Sequence, residues 1–289
     1  MTATTPTTIP RTSGGAHPDA PLPGVARLAL VRAGAEVRQF WRERDAVVFV
    51  FAYPIIMLAI FSTVFGGENQ GSAAAEVDFA RYFLPGMIAT GIMLTSFQSL
   101  AISIAVERDD GTLRRLRATP LPATSYFGGK ILLTLATSLA QTAALLAVAA
   151  GLYDVPLPTD PGRWATFAWV FVLGTATGTI CGVAFSSLPR SGRSASAVVT
   201  PVVLVLQFIS GVFFAFYALP SWMQTVASVF PLKWIAQGMR SVFLPEDMVA
   251  LEPSGSWQLP ATAAVLVAWL LVGLVVGVRT FRWRRRDDG

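Results

Sequence analysis

Charge is scarce in this sequence. Of its 289 residues only 13% are Asp, Glu, Lys or Arg, against 53% hydrophobic and 11% aromatic, where a soluble globular domain carries about 25% charged residues. That composition excludes a disordered chain, a coiled coil and a nucleic-acid-binding module of ordinary makeup. Histidine and cysteine each occur once, as His17 and Cys181. A lone cysteine closes no intramolecular disulfide, and one residue of each kind leaves nothing for a His/Cys zinc site, a Cys–His dyad or a haem with two such ligands. The formal charge of +5 and the pI near 9.9 would point to nucleic acid in a more polar chain. Here the positions of the basic residues say more than their sum.

No apolar stretch lies close behind the N-terminus, so a secretory signal, with its core of about 7–15 apolar residues, is not expected. Residues 1–24, rich in Thr, Pro, Ser, Gly and Ala, read as a disordered cytoplasmic tail. Residues 25–45 interleave Val25, Leu28, Val31, Val37, Phe40 and Trp41 with Arg27, Arg32, Arg38, Arg42 and Arg44. This pattern suits an amphipathic helix resting in the headgroup layer, or one packed on a partner protein.

Long apolar runs are what the chain has in place of charge. Six of them reach the roughly 20 residues that a bilayer core demands: Ala46–Phe65, Tyr82–Val106, Ile131–Tyr153, Trp164–Leu188, Ala197–Phe216 and Trp257–Val278, none with Asp, Glu, Lys, Arg or His. The expected fold is all-α and polytopic, a six-helix transmembrane domain over 46–279 followed by a basic tail, 280–289. Of the 22 Lys and Arg residues, 18 fall before Ala46, in 107–130 (Arg108, Arg114, Arg115, Arg117, Lys130), at Arg190 and Arg193, or from Arg279 onward. Only Arg81, Arg163, Lys233 and Arg240 remain for the other face, which predicts a plasma- or inner-membrane protein with both termini cytoplasmic.

Polar residues inside the runs form stripes. The second run carries Thr95, Gln98, Ser99 and Ser103; the third carries Thr134, Thr137, Ser138, Gln141 and Thr142. Such stripes face either a neighbouring helix or a hydrated path, and the spacing alone leaves both open. Gly174, Gly178 and Gly182, followed by Ser186, predict a close helix–helix contact along the fourth run, with Gly273 and Gly277 a weaker signal in the sixth. Pro54 and the Ser210-Gly211 pair are expected kinks or breaks. No titratable group other than Cys181 and tyrosine lies within a run. An ion-coupled carrier would place an acidic pair at membrane depth, and a membrane-bound enzyme would show a catalytic constellation. With neither visible, energy for any transport must enter from elsewhere.

The segment between the second and third runs reads Glu107-Arg-Asp-Asp-Gly111-Thr-Leu-Arg-Arg-Leu-Arg-Ala-Thr119-Pro120-Leu121. Gly111 supplies a turn, Thr112 can cap a short helix with Leu113 and Leu116 on its apolar side, and Thr119-Pro120 ends it. This run, Glu-Arg-x-x-Gly-Thr-Leu-x-x-Leu-x-x-Thr-Pro-Leu, resembles the signature of ABC-2-type exporter permeases, in particular the daunorubicin-resistance-type branch. Gln207-Phe-Ile-Ser-Gly211, Leu219-Pro-Ser-Trp222, Phe230-Pro-Leu232 and Met239-Arg240 are similar to that family's later motifs. One departure is visible: where members often carry Pro two or three residues after Ser-Gly, this chain has Phe213-Phe214-Ala215-Phe216.

The resemblance implies the membrane half of an ATP-driven exporter, working as two copies, a homodimer by expectation, with two ATP-binding subunits. It also implies the exporter fold of that family, with an N-terminal connecting helix at 25–45 and short outer re-entrant helices within 217–256, anchored by Trp222, Phe230 and Trp234. Gly128-Gly129-Lys130 lacks a Gly at 124 and a Ser or Thr at 131, so this chain has no P-loop, and ATP and Mg belong to the partner. By the same resemblance Glu107, Arg108, Gly111, Thr112, Leu113, Leu116, Thr119, Pro120 and Leu121 form the coupling helix that docks in the ATPase groove. Thr95, Gln98 and Ser99 would face Gln207, Ser210 and Phe213 or Phe214 along the substrate path, with the polar stripe of the third run as the rival surface. Hydrophobic drugs, antibiotics or lipids are the expected cargo; polysaccharide or teichoic acid is the alternative, and a secondary carrier is less favoured. Neither a metal nor nucleic acid is expected, and membrane lipid is an expected partner.

Overall fold

The computed structural model describes residues 24–65, 77–119 and 122–281, and among these the chain is a bundle of eleven α-helices. The expected N-terminal tail, all but its last residue, most of the basic C-terminal tail, Pro120 and Leu121 lie outside the described residues.

The amphipathic helix α1 (Val25–Arg42) leads through Glu43 into α2 (Arg44–Phe65), which carries Pro54 in its interior. The second crossing is composite: α3 (Phe79–Met93), a π-helical turn at Leu94–Gln98, and α4 (Ser99–Asp109). A short helix, α5 (Thr112–Arg117), then precedes α6 (Ala123–Leu152), α7 (Pro161–Phe185) and α8 (Gly192–Ile209). After α8 come α9 (Ser221–Ala227) and α10 (Pro231–Phe243), and α11 (Leu259–Thr280) completes the described chain. Six of these units, α2, α3–α4, α6, α7, α8 and α11, are long and apolar enough to cross a membrane. At 1.5 Å per residue α10 reaches only about 20 Å and cannot span one.

Local chemistry sets the boundaries. Asp160 caps α7 by accepting from the Gly162 N–H at 3.0 Å, with Pro161 in the first helical position, where its missing N–H costs nothing. Ser191 and Ser194 cap α8 reciprocally. Among the boundaries that differ from the sequence expectation, two move named site residues here. Helix α6 starts eight residues before Ile131 and so draws Lys130 into the helix, because Pro122 provides the extended entry and no proline interrupts Ala123–Leu152. Helix α8 stops at Ile209, since Gly211 adopts φ +72° and turns the chain; Ser210, Phe213 and Phe214 therefore lie beyond the helix.

The second crossing is the hub. Thirteen of the fifteen α3 residues are buried, and so is the whole π-turn. Helices α2, α6, α8 and α11 instead present apolar residues such as Ile56, Leu139, Val205 and Leu271 outward, as lipid-facing helices do. The glycine stripe of α7 makes its close contacts inside the chain. A Cβ at Gly182 would sit 2.9 Å from the Phe97 carbonyl oxygen, one at Gly178 would meet Ser96, and one at Gly174 would meet Ile235 of α10. Small residues here let α7 pack backbone to backbone on the π-turn. Gly273 does the same for α11 against Cys181 of α7.

The bundle has two distinct ends. Helix α1, helix α5 and the first turns of α6 share one, the basic end; Phe281, after α11, returns to it and packs on Phe127 at 5.1 Å between ring centroids. Helices α9 and α10 close the opposite, cap end.

Candidate functional site

The turn from α4 into α5 follows four consecutive charged residues, Glu107 to Asp110. Gly111, at φ +79°, reverses the backbone. Gly111 is the N-cap of α5 and Thr112 its first helical residue, so the expectation that Thr112 caps is corrected; the Asp110 carboxylate, just before the cap, accepts from the Thr112 N–H at 2.8 Å. The Thr112 hydroxyl instead accepts from Arg115 at 3.1 Å, and the Thr119 hydroxyl closes the helix on the Leu116 carbonyl. Leu113 is fully buried among Leu100, Ile104, Tyr126 and Val183, with Leu116, Phe127 and Phe281 packed around them. Arg114, Arg115 and Arg117 are exposed on the outer side of α5. The helix is thus fastened by Leu113, with Leu116 packed beside it, and exposes its arginines.

Glu107 and Arg108, expected on the same docking surface, are buried in α4, because α4 runs three residues past the expected end of the second span, to Asp109. Arg108 donates to the Pro189 carbonyl at 3.0 Å, and Asp109 accepts from the Gly192 N–H at 3.1 Å, which ties α4 to the α7–α8 turn. Glu107 belongs to a charge cluster. Lys130, 1% exposed, pairs with Glu36 of α1 at 2.9 Å, makes a shorter contact to Glu107, and donates to Ser103 at 2.9 Å. The Tyr126 hydroxyl donates to the other Glu107 oxygen at 2.8 Å, and Arg32 pairs with Glu36. Gly129 brings α6 against α1: a Cβ there would lie 2.6 Å from Arg32 Cγ. Two carboxylates and two cations are therefore balanced in one buried knot that joins α1, α4 and α6. Such a cluster holds together only while every charge keeps its partner.

Beside this knot opens a cavity of about 620 Å³, the size range of a small-molecule site. Its polar wall includes Glu36, Glu107, Gln98, Thr134 and Thr200; its apolar wall includes Phe40, Phe49, Leu94, Leu100, Ile102 and Leu133. Of the path residues read from sequence, Thr95, Gln98 and Ser99 line it. Gln207, Ser210, Phe213 and Phe214 do not. Gln207 accepts from the Tyr53 hydroxyl at 3.1 Å, Ser210 is buried, Phe213 stacks between Phe61 and Phe208, and Phe214 is exposed. The two surfaces set against each other as rivals meet instead: Thr134 and Thr137 of α6 line the same cavity, and Ser138 hydrogen-bonds Thr95. Helix α8 contributes through Ser196 and Thr200, the latter accepting from Gln98 at 3.4 Å.

The cap end uses the four basic residues left over from the orientation count. Arg163 donates to the Val242 and Leu244 carbonyls at 3.2 and 2.8 Å and pairs with Glu246 at 3.1 Å. Arg81 donates to the Phe243 carbonyl at 3.1 Å. Two guanidiniums thereby satisfy the open carbonyls at the C-terminus of α10, where the helix dipole also favours positive charge. Arg240 donates to the Gly211 carbonyl and pairs with Glu252 at 3.4 Å. Lys233 lies over the Trp234 ring at 3.6 Å, and burial pushes its ammonium down to about 8, with Glu252 opposing the shift and Arg240 adding to it. Of the expected interfacial anchors, Trp222 is 63% exposed, whereas Trp234 is buried and donates its indole N–H to the Ser228 carbonyl at 2.7 Å.

A family model described as "ABC-2 type transporter" matches residues 30–244, from α1 to the end of α10. The chain belongs to this family. Among its curated relatives is the "Inner membrane transport permease YadH" of Escherichia coli K12, 22% identical over 78% of this chain and 88% of that protein. The "Putative transport permease ycf38" of Porphyra purpurea is 24% identical over 72% of this chain and 71% of its own. The "Probable multidrug ABC transporter permease YbhR" of Escherichia coli K12 is 24% identical over 64% of this chain, which spans about half that protein's length.

In this ABC-2 permease, sequence reasoning missed Glu36, Tyr126 and Lys130 as a unit. Their partners lie 94 and 23 residues from Lys130, so no local pattern joins them. The usable signal was Lys130 itself: a lysine directly before a long apolar run, preceded by two glycines that admit a second helix. Arg240 was seen as a motif residue, but its acceptor, the Gly211 carbonyl, becomes visible only in three dimensions.

Proposed function

We propose that this permease is the membrane subunit of an ATP-driven exporter, energised by two copies of a separate ATP-binding subunit and acting as a homodimer. The observation that carries the reading is α5, a short helix held to the bundle by buried Leu113 while its arginines face away. In a family of ABC-type permeases, that is the shape of a docking knob. Gly111, Thr112, Leu113, Leu116, Thr119, Pro120 and Leu121 remain the proposed coupling segment; Glu107 and Arg108 act behind it, fixing α4. In this reading the basic end faces the cytoplasm, α1 lies along the headgroups, ATP and Mg stay on the partner, and this chain catalyses nothing.

ATP-driven closure of the partner subunits moves α5, and with it α4, which forms a wall of the cavity. A differential of a few kcal/mol between the nucleotide states suffices to shift the cavity between inward and outward forms. The mixed lining, apolar with a few hydrogen-bonding groups, favours hydrophobic drugs, antibiotics or lipids as cargo, and the name of the relative YbhR agrees with drug export. The test is co-purification. An ATP-binding protein of soluble composition should accompany the wild-type chain, and Arg115→Glu with Arg117→Glu should release it without lowering the melting temperature. Retention of the ATPase by that double variant would defeat the docking assignment.

A further inference from the structure

The cavity ends at a hydrogen bond. Thr95, in the π-turn, and Ser138 of α6 join hydroxyl to hydroxyl where the two polar stripes meet. One helical turn beyond this bond, toward the cap end on both helices, lies Gln141 of α6 opposite Gly91 of α3. Gln141 is 0% exposed, and neither its amide nitrogen nor its oxygen has a hydrogen-bond partner among the described residues. A glutamine offers two N–H donors and a two-lone-pair acceptor, and leaving all of them empty in a buried site is a heavy cost. Room for this side chain is made by Gly91: an ideal Cβ there would stand 2.0 Å from Gln141 Oε1. The same turns carry the Thr90 and Thr142 hydroxyls, both buried and likewise without partners among the described residues. Thr95 also donates to the Gly91 carbonyl at 2.9 Å, so its hydroxyl engages both sides of the seam.

We infer that the seam between α3 and α6 is a closed continuation of the cavity, that the Thr95–Ser138 bond is its gate, and that Gln141 receives a hydrogen-bonding group of the cargo once the gate opens. The inference rests on the export reading in naming that visitor as cargo. Thr90, Thr95, Ser138, Gln141 and Thr142 are all uncharged, so the group that fits is neutral: a hydroxyl, an amide or an ether oxygen of an otherwise apolar molecule. A charged head would meet no counter-ion there, and placing it at that depth is costly. The location of the π-turn supports the same assignment. Such turns loosen the helical ladder and occur at functional sites, and this one bears Thr95 itself while resting on the glycines of α7, where few side chains resist its adjustment.

The test needs neither an ATPase nor a known cargo, so its result stands apart from that of the co-purification experiment. With Cys181→Ala as background, single cysteines are introduced as Gln141→Cys and, as a dry control one turn further along α6, Leu145→Cys, a position that is also fully buried. The purified chain in nanodiscs is reacted with methyl methanethiosulfonate, a small neutral electrophile whose sulfenyl sulfur is attacked by the thiolate, forming a methyl disulfide and releasing methanesulfinate. Because a thiol ionises readily only where water reaches it, the rate reads hydration. Gln141→Cys should react about tenfold faster than Leu145→Cys, matching one unit of thiol pKa. Adding Thr95→Val, which removes the gate's hydrogen bond without changing its bulk, should raise the Gln141→Cys rate about fivefold further, the shift expected from one ordinary hydrogen bond. Labelling no faster than Leu145→Cys overturns the seam. Fast labelling indifferent to Thr95→Val overturns the gate, leaving a fixed water pocket. If Gln141→Cys does not fold, Thr142→Cys reports on the same turn. Gln141→Leu provides a separate check: it should melt at or above the wild-type temperature, since an apolar side chain removes unmatched polar groups, and a clear fall would mean that Gln141 is satisfied at rest and overturn its assignment as a waiting acceptor.

Discussion

Replacing Lys130 with methionine keeps the length and apolar stem of the side chain and deletes one charge. In the native knot the ammonium holds Glu36 at 2.9 Å and Glu107 closer still, while Arg32 also serves Glu36 and Tyr126 serves Glu107. Two carboxylates that share one ammonium lie about 5 Å apart, and at an effective dielectric near 20 their uncompensated repulsion is about 3 kcal/mol. Removing one partner from a buried ion pair costs about 3–5 kcal/mol, chiefly by stranding the other charge. Lys130→Met should therefore lower the melting temperature in nanodiscs by roughly 10 °C, read by intrinsic tryptophan fluorescence. The second variant tests the cause. Because Glu36 retains Arg32 whereas Glu107 retains only neutral donors, Lys130→Met/Glu107→Gln should recover more than Lys130→Met/Glu36→Gln. A single variant that melts within a degree of the wild type, or equal recovery by both double variants, would refute the reasoning.

Three further outcomes are expected. Gly182→Ala pushes a methyl group onto the Phe97 and Ser96 carbonyls at 2.9 and 3.0 Å and should cost about 1–3 kcal/mol; Gly178→Ala meets chiefly the Ser96 side chain, so adding Ser96→Ala should relieve that variant, and failure to do so in a melting series would contradict the α7 packing. Gly211→Ala combines a left-handed backbone with contacts to Phe216 at 2.7 Å and Arg240 at 3.0 Å, whereas Gly255→Ala has a comparable φ of +60° and open space; the first should lose more stability than the second, whose strain alone is about 1–2 kcal/mol. Lys233 titrates near 8 in the folded chain instead of 10.5, so below pH 8 it is protonated in both folded and unfolded states and its penalty is full. As pH rises from 8 toward 10.5 the folded state releases the proton first, and stability rises. The melting difference between wild type and Lys233→Met should accordingly shrink over that window, and a constant difference from pH 7 to 10 would count against the burial of the ammonium.

Much of the architecture was legible because lipid simplifies the code: six apolar runs, an arginine-laced helix before them, and a basic segment between the second and third. Each depends only on composition along a single helix. The errors arose where tertiary partners decide. Lys130 looked like a loop residue because charge is costly in a span, and its buried charge is sustained within α6 by Glu36 and Glu107. Glu107 looked like a docking residue because it opens the motif, yet α4 turns it inward. The substrate-path residues divided because the break at Gly211 moved Ser210, Phe213 and Phe214 out of helix α8, while Gln207, still within it, is engaged by the Tyr53 hydroxyl of α2. The choice between packing and path for the α6 stripe could not be made from spacing; in three dimensions Thr134 and Thr137 line the cavity, Ser138 bonds Thr95, and Gln141 is sealed in.

The contact of Phe281 with Phe127, in the same cluster as Leu113, has a mechanical meaning. It joins the foot of the last helix to the seat of α5. From there α11 lies along α7, and both press on α10 beneath the cap. For the docking role proposed for α5, this supplies a continuous line of packed helices from that end to the cap, beside the cavity and outside its lining. The two ends can be geared together even when the chamber between them is occupied.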